Sequence, residues 1–216
     1  MIDPRLPGTM VIAYIQKLDP FLPGFRAYLP EICRRAILPN RNVSRRNRVG
    51  EFTWAVIMSE MDDGNVLISQ NAAQYFRGLI ECFLCVDDSE YVEVKRIAHV
   101  AGSKFVKVAV TSSSGFDPVK FCREKIEGQI KRYTDLKMIF VQHESDIIQY
   151  IKNSLYPCPK NSIREVIYRQ RDRKAQVFVE EKNFPLCIGK GGVNVVSAVK
   201  LLDIALVVEP IVTEKK

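Results

Sequence analysis

The sequence is poor in the residues on which most enzymes and metal sites depend. Its two histidines, His99 and His143, lie in different segments and have no cysteine or aspartate at catalytic spacing. No phosphate loop of the G-x-x-x-x-G-K-[ST] form follows a predicted strand. The acidic pairs at 62–63 and 87–88 are typical of turns. We therefore expect a non-enzymatic protein with no catalytic residues and no cofactor.

Long apolar runs are also missing. No stretch approaches the roughly 18 consecutive apolar residues of a transmembrane helix. The first residues, Met1 to Pro4, lack the basic region and apolar region of a signal peptide. We expect a cytoplasmic bacterial protein, or one of the stroma or matrix of an organelle, with no membrane partner.

The six cysteines are scattered, which does not indicate a disulfide scaffold in a chain without a secretion signal. Cys82 and Cys85 have the spacing of zinc ligands, but a structural zinc site needs a second close pair. Both lie in the apolar run from Leu79 to Val86, where cysteine packs as a small hydrophobic residue. We expect no metal site.

What the sequence does contain is an uneven excess of positive charge. Hydrophobic residues make up 47% and charged residues 26%, which is typical of globular proteins and excludes disorder. The net charge of +7 comes entirely from residues 99–216, while residues 26–48 hold seven arginines and one acidic residue, Glu31. Clustered basic residues favour a polyanion partner. The same excess also aids solubility, and charge alone does not separate the two interpretations.

Short strands and turns predict a small barrel in the first part of the chain. The predicted strands are 8–16, 25–29, 52–58 and 66–69. The last two are joined by a hairpin turn at 62–65. An arginine-rich loop is predicted over 39–50 and a helix over 72–83. Several short strands within 60 residues are typical of a closed barrel.

The rest of the chain contains a repeat of predicted elements. The order strand, strand, helix, strand occurs once over 91–141 and again over 146–208. A helix over 146–155 precedes the strands of the second copy. Each copy is about 50–60 residues long, which is small for an independently stable core. We expect the two copies to pack on one another.

The clearest motif is the tetrad Gly189-Lys190-Gly191-Gly192, which lies between two short apolar helices. Glycines let the backbone approach a phosphate chain without a Cβ clash, and Lys190 adds positive charge. The N-terminus of the following helix also favours phosphates. This order is the layout of a KH domain, whose GXXG loop clamps about four nucleotides of single strand.

Over about residues 8–208 the chain resembles the bacterial NusA family of transcription elongation, pausing and termination factors. The matching stretches are 92–98, 102–110, 117–119 and 183–198, with weaker matches at 8–9, 27–30 and 48–50. The resemblance implies an α+β multidomain protein: a small OB-type barrel of the S-one kind, followed by two packed KH domains of the prokaryotic type II. The expected boundaries are 1–90 for the barrel, 91–145 and 146–210 for the KH domains, and 211–216 for a tail.

Three departures from the family pattern are expected to matter. The family carries an N-terminal polymerase-binding domain, whereas this chain begins almost at the barrel, so docking by that route is expected to be absent or supplied by another chain. The first KH domain has Glu124-Lys125-Ile126-Glu127 in place of its GXXG tetrad. Because carboxylates repel phosphates and Cβ atoms block a close approach, we expect this domain to serve as a packing platform or to bind through a different surface. Pro20 and Pro23 interrupt the predicted position of the second barrel strand.

The candidate RNA contacts form three groups. They are Gly189, Lys190, Gly191 and Gly192 with flanking Ile188 and Val193; Arg171, Arg173 and Lys174 of a hairpin turn; and Arg34, Arg35, Arg45, Arg46 and Arg48. Ile188 and Val193 could equally be core residues, and the hairpin turn could be a solvated tip. Phe52 and Trp54 could stack on bases, or Trp54 could fill the barrel core.

The resemblance implies an RNA-binding elongation, termination or antitermination factor that holds nascent single-stranded RNA. The alternative is a structural RNA-binding subunit of a ribosome-maturation or organellar polymerase assembly. The expected partners are single-stranded RNA and RNA polymerase or a ribosome-associated complex. We expect a monomer.

Overall fold

The computed structural model describes residues 6–86, 92–113 and 115–211. The chain forms two compact units: unit 1 comprises residues 1–89 and 124–137, and unit 2 comprises residues 90–123 and 138–216. The acidic pair at 87–88, the predicted boundary at 90–91 and nearly all of the predicted tail lie outside the described residues.

Unit 1 contains a closed five-stranded barrel, as predicted. Its strands are β1 (Met10–Leu18), β2 (Gly24–Leu29), β3 (Arg34–Pro39), β4 (Phe52–Glu60) and β5 (Val66–Ser69). They close in the order β1-β2-β3-β5-β4, with β3 and β5 parallel and the other described pairs antiparallel. This arrangement is OB-like. Pro20 and Pro23 precede β2 and do not interrupt it, so that expectation is wrong.

The barrel is filled by small and branched side chains that alternate along the strands. Val11, Ala13 and Ile15 of β1 point inward, as do Ala55 and Ile57 of β4. Because side chains on a strand alternate between faces, Phe52 and Trp54 of β4 point outward. The interpretation of Trp54 as barrel core is therefore wrong.

Helix α1 (Ala73–Val86) follows the barrel and buries one apolar face. Tyr75, Phe76 and Ile80 are completely buried on that face. Cys82 and Cys85 are exposed, so the expectation that they pack as hydrophobic residues is wrong. Among the described residues, no group of three potential metal ligands comes together.

The first repeat supplies a three-stranded sheet and an unusual helix. Its strands β6 (Val92–His99), β7 (Phe105–Ser112) and β8 (Lys137–Gln142) pair in that order. The helical segment consists of α2 (Pro118–Phe121), a π-helical turn (Cys122–Ile126) and α3 (Glu127–Ile130). Asp117 caps α2 by accepting hydrogen bonds from the amides of Val119 and Lys120, at 2.9 and 3.0 Å.

The second repeat has the element order of a type II KH domain. The elements are α4 (Ile147–Ser154), β9 (Ile163–Arg169), β10 (Lys174–Glu180), α5 (Phe184–Ile188), α6 (Val193–Leu202) and β11 (Ala205–Ile211). Strand β10 is central, antiparallel to β9 and parallel to β11. The buried side chains of α4, β10 and α6 form the core of this repeat.

Within the described ranges, no single helix is long and apolar enough to cross a membrane. The segments Glu181–Ile188 and Lys190–Leu202 meet the length and composition criteria only as a pair bent by 48°.

Candidate nucleic-acid interface

The loop between α5 and α6 has a backbone that only glycine adopts easily. Gly189 has φ 74° and ψ 164°, while Gly191 and Gly192 have left-handed conformations with φ 63° and 76°. A Cβ on Gly189 would lie 2.8 Å from the Cβ of Asn194, whereas a Cβ on Gly191 or Gly192 would meet open space. The three glycines therefore have different roles: Gly189 permits close packing under the loop, and the other two keep its outer surface bare.

Asn194 holds the loop from below. Its buried side-chain amide donates to the carbonyl of Cys187 in α5 at 2.7 Å and to that of Leu155, just after α4, at 3.0 Å. The amide of Gly189 donates to the carbonyl of Pro185 at 2.9 Å, and that of Gly192 to Gly189 at 3.0 Å. These bonds fix both ends of the loop without using its outer face.

Beneath Asn194 lies a lysine that the sequence analysis did not single out. Lys107 of β7 is completely buried, and its Nζ donates to the backbone carbonyl of Ser154. The carbonyl of Asn194 lies 3.5 Å from the same nitrogen. Burial lowers the pKa of Lys107 from its ordinary 10.5 to about 7. Nothing in the sequence indicated that Lys107 is buried, because the alternation of a strand predicts burial for apolar residues and not for lysine.

The remaining predicted loop residues lie at the tip of the loop and on either side of it. Lys190 is exposed at the tip of the loop. Ile188 and Val193 are half-buried on either side of it, so they contribute to packing and also present apolar surface. Helix α6 begins directly after Gly192, which brings its N-terminus to the loop.

The corresponding tetrad of the first repeat does not form a loop. Glu124, Lys125 and Ile126 lie in the π-helical turn, and Glu127 begins α3. Ile126 is completely buried, while Glu124 and Lys125 are exposed. The backbone here is continuously helical, and the side chains that replace glycine occupy its surface.

The basic hairpin turn lies away from the GXXG loop. Arg173 donates from Nη2 to the backbone and the side chain of Asp203, at 2.6 and 2.8 Å, and Asp203 caps the C-terminal end of α6. The loop is at the other end of α6, and ten helical residues span about 15 Å. Arg171 and Lys174 are exposed on this turn. The structure therefore does not bring these predicted contacts together with the loop.

The predicted arginine contacts in unit 1 fall into two types. Arg34 pairs with Glu60 and donates to the carbonyl of Gly64 at 2.8 Å. Arg45 donates to Glu51 at 3.3 Å and to the carbonyl of Arg132 at 2.9 Å. These two guanidinium groups support the barrel loops. The other three are exposed: Arg35, Arg46 and Arg48.

A buried amide network holds the segment that carries Arg45, Arg46 and Arg48. Gln70 donates through Nε2 to the hydroxyl of Thr53 at 2.8 Å and to the carbonyl of Trp54 at 3.1 Å. Asn47 donates to Oε1 of Gln70 at 3.0 Å. This network ties the arginine-rich loop to strand β4 and gives it a defined conformation.

An aromatic pair on the outer face of the barrel includes one residue that the sequence analysis missed. The rings of Tyr14 and Phe52 are 5.0 Å apart, on directly paired positions of β1 and β4. Phe52 is 63% exposed. Tyr14 could have been found only from the register between the two strands, which is a long-range property. Trp54 is half-buried and lines a hollow of about 240 Å³ together with residues of α1.

Comparison with known proteins agrees with this geometry. Residues 147–216 match the family model of the NusA-like second KH domain. The chain is NusA-like. Similarity extends to the transcription termination/antitermination protein NusA of Rickettsia prowazekii, with 32% identity over 52% of this chain and 23% of that protein. NusA of Borreliella burgdorferi is 30% identical over 65% of this chain and 30% of that protein.

A third NusA, from Bacillus subtilis, is 27% identical over 51% of this chain and 30% of that protein. The chain thus matches less than a third of the length of each of these three NusA proteins. The α+β fold with an OB-like barrel and KH architecture, and the resemblance to NusA, are confirmed.

Proposed function

We propose that this NusA-like chain is a non-enzymatic, RNA-binding transcription factor that holds nascent single-stranded RNA on the loop Gly189–Gly192. The observation that carries the proposal is the bare, outward surface of that loop, with Lys190 at its tip and the N-terminus of α6 behind it. A backbone without Cβ atoms lets a phosphate chain approach closely. The side-chain hydrogen bonds of Asn194 hold the loop in that conformation in the absence of RNA.

The proposed domains are the barrel over 1–90, the first KH domain over 91–145, the second over 146–210 and a tail over 211–216. The exposed Arg35, Arg46 and Arg48, with Phe52, would add contacts on the barrel. Arg171 and Lys174 would contact a more distant part of the strand. The proposed partners are single-stranded RNA and RNA polymerase. The proposed setting is the bacterial cytoplasm, and the proposed state is a monomer.

The first test changes the loop. The double variant Lys190→Asp with Gly191→Asp places two carboxylates where phosphates would lie. Fluorescence anisotropy with a labelled single-stranded RNA should show a loss of affinity of at least tenfold, since each lost phosphate contact and each new repulsion weakens binding. A duplex RNA of the same length should bind the wild-type chain more weakly than the single strand.

The first repeat offers a matched control. Lys125→Asp with Gly128→Asp changes the charge by the same amount at two exposed positions, one in the helical tetrad and one directly after it, and a Cβ on Gly128 meets open space. This variant should keep most of the affinity. Equal losses in both double variants would show that only net charge matters, and the GXXG assignment would then be wrong.

The second test concerns the large partner. Purification of the tagged chain from its native cell should recover RNA polymerase subunits, in a manner that survives nuclease treatment. Recovery of ribosomal subunits in their place would favour the alternative, a structural subunit of a ribosome-maturation assembly, and contradict the transcription role.

A further inference from the structure

Two buried cysteines lie together in the core of the second repeat, close to the GXXG loop. Cys158 follows α4, and Cys187 is in α5, two residues before Gly189. Both are free thiols and belong to one cluster of buried residues. The thiol of Cys187 is hydrogen-bonded to that of Cys158, so the two sulfur atoms face each other. We call these two residues the buried thiol pair.

Asn194 connects the buried thiol pair to the loop. Its side-chain amide donates to the carbonyl of Cys187 at 2.7 Å and to that of Leu155 at 3.0 Å. The backbone amide of Cys158 donates to the same carbonyl of Leu155, also at 3.0 Å. The backbones of both cysteines therefore belong to the hydrogen-bond network that fixes the loop. A change in the separation of the two sulfur atoms would be transmitted to the loop through this network.

The buried thiol pair consists of a nucleophile and a partner that keeps its proton. The hydrogen bond from Cys187 lowers the pKa of Cys158 from its ordinary 9.0 to about 7. The same hydrogen bond, together with burial, raises the pKa of Cys187. Cys158 is therefore mostly a thiolate at pH 8, and the thiolate is the form of cysteine that reacts with oxidants.

Only a thin layer of protein covers the buried thiol pair. The two residues before Cys158 and the two residues after it are all exposed. In α5, Pro185 and Leu186 are exposed directly before Cys187. Hydrogen peroxide is only slightly larger than water, so a small displacement of this layer admits it to Cys158. A bulky thiol reagent needs a larger opening.

We propose that Cys158 and Cys187 form a redox switch, in which hydrogen peroxide joins them in a reversible disulfide that weakens RNA binding on the loop. A disulfide bond is about 2.05 Å long, much shorter than a nonbonded contact of about 3.5–4 Å. Helix α5 has only five residues and ends at Gly189, so closing this gap displaces α5 and with it the start of the loop. The effect on RNA rests on the proposed function, whereas disulfide formation does not.

The oxidation consumes one peroxide for each disulfide. The thiolate of Cys158 attacks one oxygen of hydrogen peroxide, the O–O bond breaks, and the hydroxide that leaves takes up a proton to become water. Cys158 is now a sulfenic acid. The sulfur of Cys187 then attacks that of Cys158, the S–O bond breaks, and hydroxide leaves with the proton of Cys187 as a second water. The two cysteines lose two electrons, which reduce the peroxide, and a dithiol reductant reverses the change.

The first experiment tests the disulfide in a chain without its exposed thiols. The background variant, Cys33→Ser with Cys82→Ser and Cys85→Ser, keeps Cys122 and the buried thiol pair. After dilute hydrogen peroxide at pH 8, alkylation in denaturant should modify one thiol per chain. Peptide mass mapping should find Cys158 linked to Cys187, and dithiothreitol should restore both thiols. Cys122 is the internal control, because burial raises its pKa to about 12 and keeps it protonated.

Single replacements in this background separate the roles of the two thiols. Cys187→Ser keeps a hydroxyl that can donate to Cys158 but removes the second thiol. Peroxide should then leave Cys158 as a sulfenic acid, which dimedone traps. Cys158→Ser should leave Cys187 unoxidised, because its proton is retained. Dimedone labelling of Cys187 in place of Cys158 would show that the assigned nucleophile is wrong.

The second experiment measures RNA binding by fluorescence anisotropy with a labelled single strand. The oxidised background variant should bind at least about threefold more weakly than its reduced form, because the loop is displaced from its fixed geometry. Dithiothreitol should restore the affinity. The matched control is Cys158→Ser in the same background, whose affinity should be unchanged by peroxide. Thermal unfolding of each variant checks that its fold is intact.

The outcomes separate this inference from the proposed function. If peroxide produces no link between Cys158 and Cys187, the inference is wrong whether or not the chain binds RNA. If the disulfide forms and the affinity for RNA is unchanged, the proposed function stands and the switch is wrong. If the reduced chain binds no RNA, the proposed function is wrong and the effect on RNA falls with it, while a disulfide found by mass mapping stands.

Discussion

At the scale of single residues, the loop shows why its first two glycines, Gly189 and Gly191, are not equivalent. Gly189 combines φ 74° with ψ 164°, a region that essentially only glycine occupies, and its α-carbon faces Asn194. Gly191 is in the ordinary left-handed region and faces solvent. The GXXG motif requires glycine at 189 and leaves 191 open, but it does not say that Gly189 is needed for packing while Gly191 faces solvent.

Alanine at these two positions should therefore give different results. Gly189→Ala should lower the free energy of unfolding by about 2–3 kcal/mol, because the backbone is strained and the new methyl group meets Asn194. It should also weaken RNA binding, since the loop must shift. Gly191→Ala should cost only about 1 kcal/mol, the usual penalty for alanine in a left-handed conformation.

Urea denaturation followed by circular dichroism measures both effects. If the two variants lose equal stability, the contact between Gly189 and Asn194 is not the feature that fixes the loop.

At the scale of elements, the parts predicted from the sequence are those with local signals. The GXXG loop, the Asp117 cap and the hairpin turns each depend on a few consecutive residues, and all are where the sequence places them. Strand β3 was missed because its apolar core, Ala36 to Leu38, is only three residues long and follows two arginines. Its neighbours β2 and β5 stabilise it, and those pairings are long-range.

Strand β4 shows a related limit of prediction from sequence periodicity. The period of two correctly puts Phe52 and Trp54 on one face, but it does not say which face is inside. In a narrow barrel the interior suits Ala55 and Ile57, so the two aromatic residues lie outside. Phe52 remains exposed, while Trp54 is covered in part.

This difference on one strand predicts opposite effects of two substitutions. Phe52→Ala should leave the free energy of unfolding within about 0.5 kcal/mol of the wild-type value, because the side chain is exposed. It should weaken RNA binding by about 1–3 kcal/mol if one base stacks there. Trp54→Ala should lower the free energy of unfolding by about 2 kcal/mol through lost packing, with no direct effect on RNA.

Chemical denaturation and anisotropy on the same two variants provide the comparison. Unchanged RNA affinity in Phe52→Ala would remove the aromatic pair from the interface.

At the scale of the whole molecule, the buried Lys107 links stability to pH. Its pKa is about 7 in the folded chain and ordinary, near 10.5, in the unfolded chain. Below pH 7 both states carry the proton, and the cost of burying the charge is fully present. Between pH 7 and 10.5 the unfolded chain binds more protons than the folded chain. Stability therefore rises with pH over this window.

Comparison with Lys107→Met isolates this contribution. From pH 7 to pH 9 the free energy of unfolding of the wild-type chain should rise by about 2 kcal/mol relative to that of the variant. The comparison stops at pH 9 because the ionisation of Tyr75 and Tyr150 affects stability only at higher pH. Burial raises the pKa of each to about 12, so stability is lost as the pH rises from 10 to 12. Parallel pH profiles of wild type and variant would show that Lys107 does not lose its proton in the folded chain.

The distribution of the six cysteines has a practical consequence for spectroscopy. The three exposed thiols, Cys33, Cys82 and Cys85, all belong to unit 1, and the three buried ones, Cys122, Cys158 and Cys187, all belong to unit 2. A maleimide dye added to the native protein would thus attach to the barrel unit and leave the GXXG loop chemically untouched. The sequence already directs such a label to unit 1, at up to three sites, without any engineered cysteine.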